Sequence, residues 1–100
     1  MDMESLTEFE LEVLENLPVE PLGMSLSELA DGLLDDYSPA GKGKVLRALD
    51  RILVATGALY VCTGDDSLGG FGRMYGIPQR MMPAVRQFFA DRAEKQLENV

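Results

Sequence analysis

The spacing of apolar residues in this chain changes abruptly at Gly57, and that change restricts the fold more than any other feature. Upstream, apolar residues recur every three to four positions, the period of a helix with one buried face. Downstream, Leu59-Tyr60-Val61-Cys62 and Arg73-Met74-Tyr75-Gly76-Ile77 are short runs rich in β-branched and aromatic residues. The segment between them, residues 63–72, is rich in Gly and Asp and reads as a long turn, so the two runs are expected to pair as a hairpin. Helical spacing resumes after Pro83.

Start and stop signals divide the upstream part into three helices. Ser5-Leu6-Thr7-Glu8 reads as a capping box opening a helix over about Leu6–Asn16, with Leu6, Phe9, Val13 and Leu17 on one face. Pro18 and Pro21 end it. Leu22-Gly23-Met24 leaves room for a short strand. A second box, Ser25-Leu26-Ser27-Glu28, opens a helix whose Leu26, Leu29, Ala30, Leu33 and Leu34 follow the helical period without a miss. Asp35-Asp36-Tyr37 reads as a tight turn. Ser38 as N-cap and Pro39 at the first helical position start the third helix. Its expected buried face is Val45, Leu46, Leu49, Ile52 and Leu53, and Gly57 ends it. Gly41 and Gly43 weaken its first turns by about 1 kcal/mol each, which moves the expected start toward Lys42. In the last helix Val85, Phe88, Phe89, Ala93 and Leu97 form an apolar stripe. The expected class is mostly α with a small β-hairpin, in the order α-β-α-α-β-β-α, in two parts: a domain over residues 1–80 and a C-terminal helix over 81–100.

One hundred residues, 46% apolar and 26% charged, suit one globular domain. The longest apolar run, Ala58 to Cys62, is far below the roughly 18 residues of a membrane span. The acidic start, Met1-Asp2-Met3-Glu4, lacks the pattern of a secretory signal, and the single Cys62 permits no intrachain disulfide; both predict a cytoplasmic protein. The chain has no histidine, and a lone cysteine in a strand suits packing better than nucleophilic attack, so no enzyme activity, metal or cofactor is expected. Gly41-Lys42-Gly43-Lys44 fails as a phosphate-binding loop: no Ser or Thr follows either Lys, and Asp36 or Ser38 stands where the upstream Gly belongs. Gly69-Gly70-Phe71-Gly72 fails the dinucleotide pattern because Tyr75 occupies the third glycine position. Asp65-Asp66 lacks the ligand spacing of a calcium loop.

The net charge of -8 is unevenly spread. Residues 1–39 hold eleven acids and no base, residues 40–80 hold six bases against three acids, and the last twenty balance. Such asymmetry between segments points toward an interaction surface without identifying one.

The segments Ser-Leu-Ser-Glu-Leu-Ala-Asp-Gly-Leu-Leu at 25–34, Val-Leu-Arg-Ala-Leu-Asp-Arg-Ile-Leu at 45–53, Thr-Gly-Ala-Leu-Tyr-Val at 56–61 and Arg-Met-Tyr-Gly-Ile-Pro at 73–78 together resemble the winged helix-turn-helix superfamily. The resemblance covers residues 5–78 and points to no particular subfamily. It implies that the helix after the turn is a recognition helix and the hairpin a wing, hence sequence-specific binding of duplex DNA in transcriptional control. On a helical wheel centred on the expected buried face, Lys44, Arg47 and Arg51 lie opposite the core, where they can meet phosphates or guanine edges. Lys42 sits at the helix start, and Arg73 at the base of the wing. Asp50 beside Arg47 and Arg51 allows a blander origin in local ion pairing. The long-range field of an acidic chain repels DNA, so the first helix must face away from it.

Two other readings stand. The acidic surface of Glu8, Glu12 and Glu15 can dock a basic protein, making the chain an adaptor, and an acidic DNA mimic has the charge alone in its favour. The stripe of Val85, Phe88, Phe89 and Leu97 either packs on the first helix or forms a two-fold homodimer contact that would supply symmetric half-sites. The six methionines suit adaptable packing.

Overall fold

The computed structural model describes residues 1–66, 68 and 70–98. Four helices and one hairpin follow in the order α1 (Glu8–Asn16), α2 (Leu26–Leu34), α3 (Pro39–Thr56), β1 (Tyr60–Asp66), β2 (Gly70–Gly76) and α4 (Met82–Glu98). Single 3-10 turns, Met3–Ser5 and Gln79–Met81, lead into α1 and α4. The chain is thus mostly α with a two-stranded antiparallel hairpin.

Helix α1 starts two residues later than expected. Thr7, not Ser5, caps it: the Thr7 hydroxyl accepts the Glu10 N–H at 3.2 Å, and the Glu10 carboxylate accepts the Thr7 N–H at 2.9 Å. Both Ser5-x-x-Glu8 and Thr7-x-x-Glu10 fit the capping pattern. Burial decides between them, because Met3 and Leu6 are drawn into the core through a separate turn and Leu6 leaves it extended. The cap of α2 falls where expected, with the buried Ser25 hydroxyl accepting the Glu28 N–H at 3.0 Å. Asp35 closes α2 in the left-handed conformation at φ 51°.

Helix α3 starts at Pro39 behind the Ser38 cap, a full turn before Lys42, and ends at Gly57 with φ 91°. Its buried face is Gly41, Val45, Ala48, Leu49, Ile52 and Ala55. Leu46 and Leu53, expected inside, are 41% and 43% exposed, and Ala48 and Ala55 take their place. The reason is steric. α3 packs against both α1 and α2, and small side chains at Ala48 and Ala55 suit close packing, whereas a hydropathy pattern weights leucine above alanine.

The hairpin is longer than its β-forming residues indicate. Pairing runs from Tyr60 opposite Gly76 to Asp66 opposite Gly70 and includes Gly64, Asp65 and Gly72, all expected to lie in the turn. The expected strand at 22–24 shrinks to one bridge: Met24 and Tyr75 exchange backbone hydrogen bonds of 2.9 and 2.8 Å. A second bridge joins Val19 to Ile77. Gln79 adds hydrogen bonds to the Glu20 carboxylate and carbonyl at 3.1 and 2.9 Å, holding the α1–α2 linker to the end of the hairpin.

The core lies among α1, α2 and α3, where Val13, Leu14, Leu29, Val45, Leu49 and Ile52 are the largest fully buried side chains. Tyr75 and Ile77 close it from the hairpin side, Met81 and Val85 from the α4 side. Among the described residues no helix is long and apolar enough to cross a membrane.

Candidate nucleic-acid interface

Helical geometry places every side chain of α3 relative to its buried face. The outward ridge carries Gly43, Leu46, Asp50, Leu53 and Val54, of which Val54 is 78% exposed. Lys44, Arg47 and Arg51, expected to cluster away from the core, lie together on one flank of this ridge, and Lys42 lies on the other.

On one flank Lys42 meets the hairpin. With Arg73 it lines a groove of about 290 Å³ that also takes in Ser25, Ser27, Asp66 and Phe71. The first turn of α2 and the wall of the hairpin thus converge on two cations. Partial desolvation pushes the Asp66 carboxyl upward. The Leu68 N–H at 2.9 Å, the Ser25 and Ser27 hydroxyls and the charge of Lys42 outweigh it, so Asp66 titrates below the usual carboxylate range. Arg73, expected at the base of the hairpin, stands opposite Thr63 at the middle of the ladder, because pairing extends through Asp66 and Gly70, on the face that also carries Val61 and Phe71.

On the other flank Lys44, Arg47 and Arg51 turn toward α1. They line a groove of about 540 Å³ with Phe9, Glu10, Leu34 and Ala48. Arg51 is committed there: its guanidinium lies 3.7 Å from the Glu10 carboxylate and donates to the Ser5 carbonyl at 3.3 Å. Neither Lys44 nor Arg47 has a carboxylate within 4.0 Å among the described residues. The Lys44 charge acts at longer range on Asp36. That carboxyl is held below the usual range by the Ser38 hydroxyl and by the Ser38 N–H at 3.0 Å, against a small desolvation effect, with Lys44 adding to the lowering.

The acids of α1 are divided. Glu8 pairs with Arg92 of α4, and Glu15 shares a groove with Phe89 and Arg92. Glu10 is the one that faces α3, where Arg51 balances it. Of the residues considered for a two-fold contact, Val85 is buried in the chain's own core. Phe88 and Phe89 are half-buried, edge to face with centroids 5.5 Å apart, and line grooves shared with α1. Leu97, 75% exposed, is the one of the four that stays free. Cys62 packs toward the α1–α2 linker, where a side chain at Gly23 would come within 3.1 Å of its sulfur.

Sequence reasoning did not associate Ser25, Ser27, Asp66 and Phe71 with Lys42, nor Phe9 and Leu34 with Arg47. Ser25 and Phe9 carry clear local signals, for a cap and a core stripe, and these hide their place beside the cations. Comparison with protein-family models, with curated proteins and with solved structures finds no match.

Proposed function

We propose that the chain is a winged helix-turn-helix domain that binds duplex DNA in transcriptional control, with α3 in the major groove and the β1–β2 hairpin over the flanking backbone. The observation that carries this reading is the placing of cations on both sides of the α3 ridge: Lys42 and Arg73 on one, Lys44 and Arg47 on the other. A helix lying in the major groove has a phosphate strand along each side. Lys42 and Arg73 on one side and Lys44 and Arg47 on the other suit that geometry, with Glu10, the α1 acid on the second side, balanced there by Arg51. In this arrangement the flanks position the protein and the ridge faces the base edges, where Leu46 can meet a thymine methyl and Asp50 a cytosine amine. Arg51 serves the fold instead, through Glu10 and Ser5. The free Leu97 end of α4 is the surface by which two copies would pair on symmetric half-sites.

Selection of bound sequences from a random duplex library at low salt tests the proposal. Enrichment of a motif supports it, and a palindromic motif supports the two-fold pairing as well. A folded sample that enriches nothing overturns it.

One observation favours a second reading as a protein-binding module. Leu46, Leu53 and Val54 on α3 and Val61 and Phe71 on the hairpin are all exposed, and exposed apolar residues of this number mark protein contacts when they are contiguous. Under this reading the docking face is α3 and the hairpin, not the acidic surface of Glu8, Glu12 and Glu15.

A further inference from the structure

The groove between α1, the end of α2 and α3 has a composition that phosphate contacts alone do not explain. Its rim is basic, with Lys44, Arg47 and Arg51, while Phe9, Leu34 and Ala48 make its floor apolar. A phosphate is held by charge and polar donors and gains nothing from a phenyl ring and a leucine side chain. The one carboxylate present, Glu10, is already engaged by the Thr7 N–H at 2.9 Å and by Arg51 at 3.7 Å. Arg51 is shared with the Ser5 carbonyl. Lys44 and Arg47 therefore carry the unmatched charge of the rim. Like most of the chain's bases, Lys44 and Arg47 have no carboxylate within 4.0 Å among the described residues; what sets them apart is that they stand together beside an apolar surface.

We propose that this groove docks an acidic segment of a partner protein in which carboxylates alternate with large apolar side chains. An apolar side chain lies on Phe9, Leu34 and Ala48, and the flanking carboxylates reach Lys44 and Arg47. Charge complementarity identifies the occupant: an apolar peptide alone would leave both cations unmatched, and a purely acidic one would leave the floor wet. The site goes beyond the duplex reading and stands without it, although an occupied groove would take Lys44 and Arg47 away from phosphate.

The test uses the full chain and a fluorescein-labelled peptide, Asp-Leu-Glu-Phe-Asp-Leu-Glu, followed by anisotropy and by amide chemical shifts. Two control peptides replace either the acids by Asn and Gln or the apolar residues by Ser. Saturable binding is expected, with a loss of at least about tenfold for each control peptide and for the double variant Lys44→Glu, Arg47→Glu. The largest shifts should fall at Phe9, Leu34 and Ala48. Should the double variant fail to fold, Lys44→Gln with Arg47→Gln provides the same comparison with less charge disturbance. Absence of saturation, equal binding of the Ser-substituted peptide, an unaffected double variant, or shifts centred elsewhere would each overturn the proposal. Duplex titration of the same samples reports separately on the DNA reading.

Discussion

Gly41 lies directly against the backbone of Asp36: a Cβ at Gly41 would stand 1.8 Å from the Asp36 carbonyl oxygen. The turn between α2 and α3 folds back onto the first turn of α3 so closely that no side chain fits between them. Gly43, two residues on, would meet nothing nearer than the mobile end of Arg47 at 3.6 Å. The two glycines therefore have opposite consequences. Gly41→Ala should destabilise the chain by about 1–3 kcal/mol, the usual cost of overpacking. Gly43→Ala should stabilise it by about 0.5–1 kcal/mol through helix propensity. Urea denaturation of both variants checks the pair, and equal shifts in the same direction would contradict the close approach.

The rotation of α3 is open to the same method. Leu49 is 1% exposed, and Leu49→Ala should cost about 2–5 kcal/mol. Leu46→Ala and Leu53→Ala should each cost less than about 1 kcal/mol, because both side chains already contact water in the folded state. Comparable losses at all three positions would restore the buried face expected from hydropathy alone.

Cations that touch phosphate differ from cations that hold the fold in their salt dependence. Under the proposed duplex reading, removing Lys42, Arg47 or Arg73 singly by substitution with Ala should weaken duplex binding and lower the slope of log affinity against log salt by about 0.9 each. Arg51→Ala should leave that slope almost unchanged, since its guanidinium is taken up by Glu10 and Ser5, and should cost up to about 1 kcal/mol of stability. Affinity titrations at several salt concentrations separate the two groups.

Two carboxyls tie stability to pH. Asp36 and Asp66 both titrate lower in the folded chain than their ordinary values, Asp36 through the Ser38 hydroxyl and N–H, Asp66 through Leu68, Ser25, Ser27 and Lys42 acting against desolvation. Around the ordinary carboxylate value of about 3.9 the unfolded chain therefore binds more protons than the folded one. The stability they supply is complete above that value and is lost as the pH falls through it toward the lower folded values. Asp36→Asn and Asp66→Asn should each be less stable than the parent at pH 7, and the gap should close on acidification. Urea midpoints measured from pH 7 down to pH 3 check this, and a gap that is constant with pH would contradict it.

Much of the architecture is legible in local residue patterns. Ser25, the Ser38-Pro39 pair and Gly57 mark ends of α2 and α3 where the structure has them, because a cap acts on backbone groups within three or four residues of itself. The existence of the hairpin is legible for the same reason, but its length is not. Gly64, Asp65 and Gly72 have poor strand propensity, yet they pair because a ladder is held by backbone groups that every residue but proline supplies. Ser5 and Thr7 offer equivalent capping patterns, and the burial of Leu6 against the rest of the chain selects between them.

The candidate site divides along the same line. The presence of five cations on α3 and the hairpin, in a chain whose first 39 residues hold none, is a property of the sequence by itself, as are the order of the helices and most of their ends. Which cations stand together is not. Arg51 is occupied by Ser5, 46 positions away, and Lys42 is brought to Arg73 by the docking of the hairpin beside α2. Caps and periods act through neighbours along the chain, so one sequence states them. The buried face of α3, and with it the flank that each cation occupies, depends on how closely α1 and α2 approach it. That distance is set by small residues such as Gly41, Ala48 and Ala55, whose role shows only when their partners are in place.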